Sequence, residues 1–260
     1  MKKNAAFLVS FLAIFYTQPV FSENFQNFST SDFCKNLTTS PSIQRQKSPK
    51  NQSVSKKFAL ADGNVQFCSY SGEDLTAINQ SWASKNHVVA YRAQVQFRDT
   101  VELIKAYSRI KSRYSVMFAS VPNAMAVLQK SGNEVERYVL YNARYLCGIQ
   151  EHTQSNWADD SVFAHEVGHH LPNHTLEGGS RPYFELQADW FSGYILQRMG
   201  APLDEATIVL SKTIEHQIKS SDLNMPKSMT HPLVEDRIAA VSEGWTTACE
   251  VDPKCELMQP

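Results

Sequence analysis

Residues 160–171 read Asp-Ser-Val-Phe-Ala-His-Glu-Val-Gly-His-His-Leu, and this stretch decides how the second half of the chain folds. No proline interrupts the run, and it reads as a helix. On a helix His165 and His169, four residues apart, share one face. Two imidazoles at that spacing can bind one metal ion, and Glu166, beside the first, can reach a metal-bound water. A helix with surface histidines is the plainer alternative for the five-residue pattern taken alone.

Zinc chemistry needs a third protein ligand and leaves a fourth position for water. Sixteen residues beyond His169 stands Glu185, in Glu185-Leu186-Gln187-Ala188-Asp189. That segment also reads as helix, so Glu185 and Asp189 share a face. Glu185 can ligate, and Asp189, one turn on, can accept a hydrogen bond from a ligand imidazole. Glu177-Gly178-Gly179-Ser180-Arg181-Pro182 supplies turn residues between the two helices, giving a hairpin that brings the motifs together. His170 and His174 are rival ligands; the first sits on another helix face and the second follows Pro172-Asn173. The longer zinc pattern H-E-x-x-H-x-x-G-x-x-H is excluded, because positions 172 and 175 are Pro and Thr. No G-x-S-x-G and no P-loop pattern occurs.

These motifs resemble the gluzincin metallopeptidases of the HtpX and CAAX-prenyl-protease-type superfamily. The resemblance rests on His165-Glu166-x-x-His169, on Glu185-x-x-Ala188-Asp189, and on Thr230-His231-Pro232 followed by Arg237. Asn123-Ala124-Met125-Ala126 is also similar to the Asn-Ala-Phe-Ala stretch of that family. It covers roughly residues 115–245 and lacks the membrane helices of the family's integral members. It implies a zincin-like fold and peptide-bond hydrolysis with one Zn²⁺ per chain, held by His165, His169 and Glu185. Glu166 is then the general base, and His231 the donor to the oxyanion. Arg237 is expected to be structural, paired with Asp189 or Glu235. The expected partner is a polypeptide substrate lying extended along an edge strand. The alternatives are an inactive zinc-binding envelope-assembly factor and a zinc amidase acting on cell-wall peptides.

The rest of the chain reads as α+β: a small antiparallel sheet followed by the helical half carrying the zinc site. A strand is expected at Asn64–Tyr70, a helix at Thr100–Lys111, and short runs at Ser115–Val121, Ala124–Gln129 and Glu136–Asn142. Helices are expected at Asp160–Leu171, Tyr183–Met199, Leu203–Ser220 and His231–Glu243, with Gly200 stopping the second. One metallopeptidase domain, 57–248, follows a flexible basic arm, 23–56, and precedes a Cys-containing tail, 249–260. Residues 35–57 hold six basic and no acidic residues. This is the composition of a solvated linker, with weak contact to an anionic envelope surface as the alternative.

Lys2 and Lys3, the apolar run Ala5–Tyr16, Pro19 and Val20-Phe21-Ser22 form a cleavable export signal over residues 1–22. A periplasmic or secreted location follows, and the mature chain has no later run long enough to span a bilayer. An oxidising compartment makes disulfides available to Cys34, Cys68, Cys147, Cys249 and Cys255. A local Cys249–Cys255 clip and a Cys34–Cys68 tether are the candidate pairs, with Cys147 read as a buried thiol; the odd count leaves at least one thiol free or paired between chains, and spacing does not fix the connectivity. The 260 residues carry 25 basic and 26 acidic side chains. That balance gives no electrostatic case for nucleic acid.

Overall fold

The computed structural model describes Cys34 and residues 56–59, 65–69, 87–121, 123–171, 181–219, 232–252 and 255. The expectations placed on the signal, on the arm apart from Cys34 and Lys56, on His174, on the turn at 177–180 and on His231 lie outside them. Strands β1 (Lys56–Ala59), β2 (Val65–Ser69) and β3 (His87–Arg92) come first, then helix α1 (Val95–Ser108). Strands β4 (Ser115–Ala119), β5 (Ala124–Ser131) and β6 (Glu134–Tyr141) follow. The chain then turns helical: α2 (Ala143–Thr153), α3 (Ala158–His170), α4 (Arg181–Met199), α5 (Leu203–Lys219) and α6 (Val234–Glu250). The class is α+β.

The sheet is mixed, which corrects the expectation of a purely antiparallel one. Its order is β1-β3-β4-β6-β5-β2, and β4 pairs with β6 in parallel. The physical cause is the short link between β4 and β5. β4 ends at Ala119 and β5 begins at Ala124, one strand's width farther along the sheet, and β6 returns through the gap between its two predecessors. Crossing that gap means moving about 10 Å, within the reach of four extended residues. Asn142, at the end of β6, closes the crossing. Its backbone amide donates to the Asn123 carbonyl at 2.8 Å, and its side-chain amide donates to the Val121 carbonyl at 2.7 Å. The same side chain accepts from the Arg144 amide at 3.0 Å and so caps α2. Helix α2, together with β1 and β3, was not legible in the sequence.

Alternation along β6 divides the core. Val139 and Tyr141 join Phe97, Phe163 and Val167 on the helical face, while Tyr138 and Leu140 join Phe58, Met125 and Val127 on the other. Every residue of α3 from Ser161 to His170 is buried. Such a helix lies in the middle of its domain, between the sheet and the outer helices. Gly200 ends α4 in a left-handed conformation at φ 99°, with the Ala201 amide returning to the Leu196 carbonyl at 2.9 Å, as expected for a C-terminal stop.

Cys34 is bonded to Cys147 on α2, with Cα atoms 5.3 Å apart. This corrects two expectations at once: Cys34 is unavailable to Cys68, and Cys147 is not a free thiol. Spacing could not show it, because the pairing depends on a helix placed by the tertiary fold. Cys249 and Cys255 form the expected clip, and Cys255 is buried against Leu196 and Trp245.

Helices α4 and α6 touch backbone to backbone. A Cβ added at Gly193 would overlap the Val241 carbonyl, and one at Gly244 would overlap that of Trp190. Gly168 of α3 is tight as well, since an added Cβ would stand 3.0 Å from the Ala188 Cα of α4. Gly193→Ala and Gly244→Ala should therefore each lower stability by about 1–3 kcal/mol or more. Gly148→Ala, at an α2 position with nothing within 4 Å, should instead raise it by about 0.5–1 kcal/mol. Denaturant midpoints of the three variants check both signs.

Candidate metal centre

The contact between α3 and α4 places the residues singled out by the spacing. His165 and His169 project from α3, and Glu185 and Asp189 from the first turns of α4. The His165 and His169 Nε2 atoms lie 3.0 Å apart. The Glu185 carboxylate stands 3.3 Å from His165 Nε2 and 3.6 Å from His169 Nε2. A tetrahedral ion bound at ~2.0–2.2 Å needs its ligand atoms about 3.3–3.6 Å apart. These three residues, all buried, can hold a metal ion.

Behind them runs a chain of charge. His165 Nδ1 meets Asp189 Oδ1 at 2.8 Å. Arg237 of α6 donates to both oxygens of Asp189, from Nε at 2.7 Å and from a terminal nitrogen at 2.9 Å. Of the two acidic partners expected for Arg237, the fold selects Asp189; Glu235 is exposed. Burial opposes ionisation of Asp189, but the Arg237 guanidinium and His165 outweigh it and hold the carboxyl below its ordinary range. Burial likewise opposes a charged His165, yet Asp189, through charge and hydrogen bond, and Glu185 lift it to about 9. That is the mark of a strongly basic imidazole, which a metal ion binds well once the proton has left.

Glu166 is fully buried, and neither carboxylate oxygen has a hydrogen-bond partner of ordinary geometry. Burial raises its carboxyl to about 8; His165 and the facing backbone amide of Ala126 on β5 offset this only in part. A carboxyl in such surroundings can exchange a proton near neutral pH. Protons on His165 and Glu166 balance the buried set near neutral pH; once both have left, as metal binding requires, Glu166, Glu185 and Asp189 face one guanidinium and two negative charges stand uncompensated. Such a set is costly to bury, and a divalent cation balances it. The donor set fits a metal.

His170 faces away from the cluster, as its position on the helix requires. Its Nε2 bonds the Tyr138 carbonyl of β6 at 3.0 Å, and its ring lies 5.0 Å from that of Tyr114. This link between α3 and the central strand was missed; an imidazole beside a ligand pair gives no spacing signal for a backbone acceptor. His231 is outside the described residues.

Two outcomes follow. Arg237→Ala should leave Asp189 buried without its counter-charge, unfasten His165, and weaken metal binding by ~10–100-fold, measurable by competition with a chromophoric chelator. The second concerns acid. Burial holds His170 near a pKa of about 3, with the nearby Arg137 charge adding to the effect and the Tyr138 carbonyl opposing it. The unfolded chain takes up this proton below ~6.5 and the folded chain does not. Stability is therefore intact above that pH and is lost as pH falls from about 6.5 toward 3, by up to ~1.4 kcal/mol per unit. His170→Gln should flatten that part of the profile when unfolding is followed in chelator, where metal loss does not contribute.

Comparison with known proteins returned no matching family model, no matching curated protein and no matching solved structure.

Proposed function

We propose that the chain is an exported zinc-dependent endopeptidase of zincin-like fold. The observation that carries the proposal is Glu166: a fully buried carboxylate without a hydrogen-bond partner of ordinary geometry, beside three convergent ligand atoms. A purely structural metal site has no use for such a group, and its desolvation is a standing cost to stability. Two imidazoles and one carboxylate are also the donor set of catalytic zinc sites, which keep a fourth position open.

In this reading His165, His169 and Glu185 hold the ion. Bound zinc lowers the pKa of a water toward ~7 and polarises the scissile carbonyl. Glu166 accepts the proton of the attacking water on a carboxylate oxygen and later delivers it to the leaving amide nitrogen. Its raised affinity for protons suits both halves of that shuttle. Asp189 fixes the His165 ring through Nδ1, leaving Nε2 toward His169 and Glu185, and Arg237 keeps Asp189 ionised. His231, carried over from the family resemblance, is assigned to the developing oxyanion. Residues 1–22 direct export, and disulfides at Cys34–Cys147 and Cys249–Cys255 suit the oxidising side of a membrane. No helix among the described residues is long and apolar enough to cross a membrane.

Elemental analysis of protein purified without chelator should give about one zinc per chain, and casein should be cleaved in a chelator-sensitive way. Glu166→Gln should keep the zinc and the fold but lose at least ~10²–10⁴-fold in turnover. Full activity in metal-free protein, or near wild-type turnover in the Gln variant, would refute the proposal. Cleavage of cell-wall fragments with casein untouched would move the substrate from proteins to cell-wall peptides.

A further inference from the structure

The metal centre is shut away from solvent. His165, His169, Glu185 and Glu166 are each at most 1% exposed. A hydrolase must bring a peptide bond and a water together beside these groups, so the structure describes a closed form of the site. The strand facing the reacting carboxylate is β5, whose Ala126 amide is turned toward Glu166.

Strand β5 has two edges, and the chain fills both. On one side β6 pairs with it along its whole length, from Ala124 opposite Tyr141 to Ser131 opposite Glu134. β6 is also paired with β4, is joined to β5 by the two-residue turn Gly132-Asn133, and is held at its end by Asn142. Such a strand cannot leave without dismantling the sheet. On the other side lies β2, antiparallel, with Cys68 opposite Ala126 and Ser69 opposite Met125. β2 is five residues long and ends the sheet, with β5 as its one strand partner among the described residues. It also touches α3, the helix that carries Glu166.

Distance decides where an extended substrate can lie. Proton transfer needs heavy atoms at about 2.6–3.2 Å. A peptide paired directly with β5 runs one strand spacing from Ala126, about 4.8 Å. A peptide added to the outer edge of β2 runs two spacings away, about 10 Å, with β2 between it and Glu166. Of the two positions, the first puts a scissile bond within reach, and β2 stands in it.

We propose that β2 is an autoinhibitory strand: it holds the substrate edge of β5, and an extended polypeptide substrate replaces it in the ladder when the site opens. The proposal rests on the peptidase reading above. The exchange trades one antiparallel ladder for another, so the backbone groups of β5 keep partners throughout. A short edge strand with one neighbour is also the part of a sheet that opens most readily.

The test locks β2 in place. Val65 and Gln129 are directly opposed. Opposed residues of an antiparallel pair stand ~4.5–5.5 Å apart at Cα, a separation that a disulfide spans. Val65→Cys/Gln129→Cys, made in the zinc-loaded full chain with Cys68→Ser, should cross-link β2 to β5. The cross-linked form should keep its zinc and its Tm, yet cleave casein at least about tenfold more slowly than either single-cysteine variant, because the open form is withheld. Mild reduction should restore the rate, with the single-cysteine variants treated alike to account for the native disulfides. Hydrogen exchange gives a second measurement, on zinc-loaded Glu166→Gln with and without a casein peptide that the wild type cleaves. The peptide should speed exchange of the β2 amides and leave those of β6 protected. Full activity in the cross-linked protein, or unchanged β2 exchange with the peptide bound, overturns the proposal and leaves the peptidase reading standing. Failure of every form, the wild type included, to cleave casein overturns both.

Discussion

Asp189 sits between a histidine of α3 and an arginine of α6, and the geometry of the centre hangs on that one carboxylate. Buried alone it would take up a proton and lose its grip on both neighbours. Paired with Arg237 it stays ionised, and ionised it fixes the tautomer and direction of His165. Removing one partner of such a buried pair typically costs ~3–5 kcal/mol, because the other charge is left in a medium that cannot solvate it. Three helices distant in sequence are therefore tied at the point where ligand orientation is set.

The pairing is possible only because the helices approach closely. Gly193 and Gly244 lie against each other's backbone neighbours, so α4 and α6 meet without side chains between them. That closeness brings a guanidinium from α6 within reach of a carboxylate on α4. Gly168 does the same for α3 against α4, where the imidazoles must meet Glu185. On its other side α3 rests on the sheet. There the crossing held by Asn142 sets β5 and β6 beneath the helix, with Ala126 opposite Glu166 and the Tyr138 carbonyl beneath His170.

Charge unites these features. Three carboxylates and one guanidinium buried together are an arrangement that packing alone does not favour. Hydrophobic residues of similar volume would stabilise the fold at least as well. His165, His169 and Glu185 can hold a metal ion, and a divalent one would offset that cost.

Much of the centre was legible in the sequence because it is written at helical spacing. His165 with His169, and Glu185 with Asp189, are pairs four residues apart, and a helix turns such pairs onto one face whatever surrounds it. The helical second half, the Gly200 stop and the Cys249–Cys255 clip were readable for the same reason, being local. Helix α2 was not, because its capping residue Asn142 also ends a strand and its buried face mixes Leu146 and Cys147 with Gln150. The parallel pairing of β4 with β6 and the Cys34–Cys147 bond were hidden because each joins elements that only the tertiary fold makes neighbours. The choice of Asp189 over Glu235 for Arg237 was hidden too: both carboxylates were available in sequence, and burial alone decided between them. Local periodicity fixes which side chains share a face. Which faces meet, and which charges are deprived of water and must find each other, is decided by packing across distances that no spacing records.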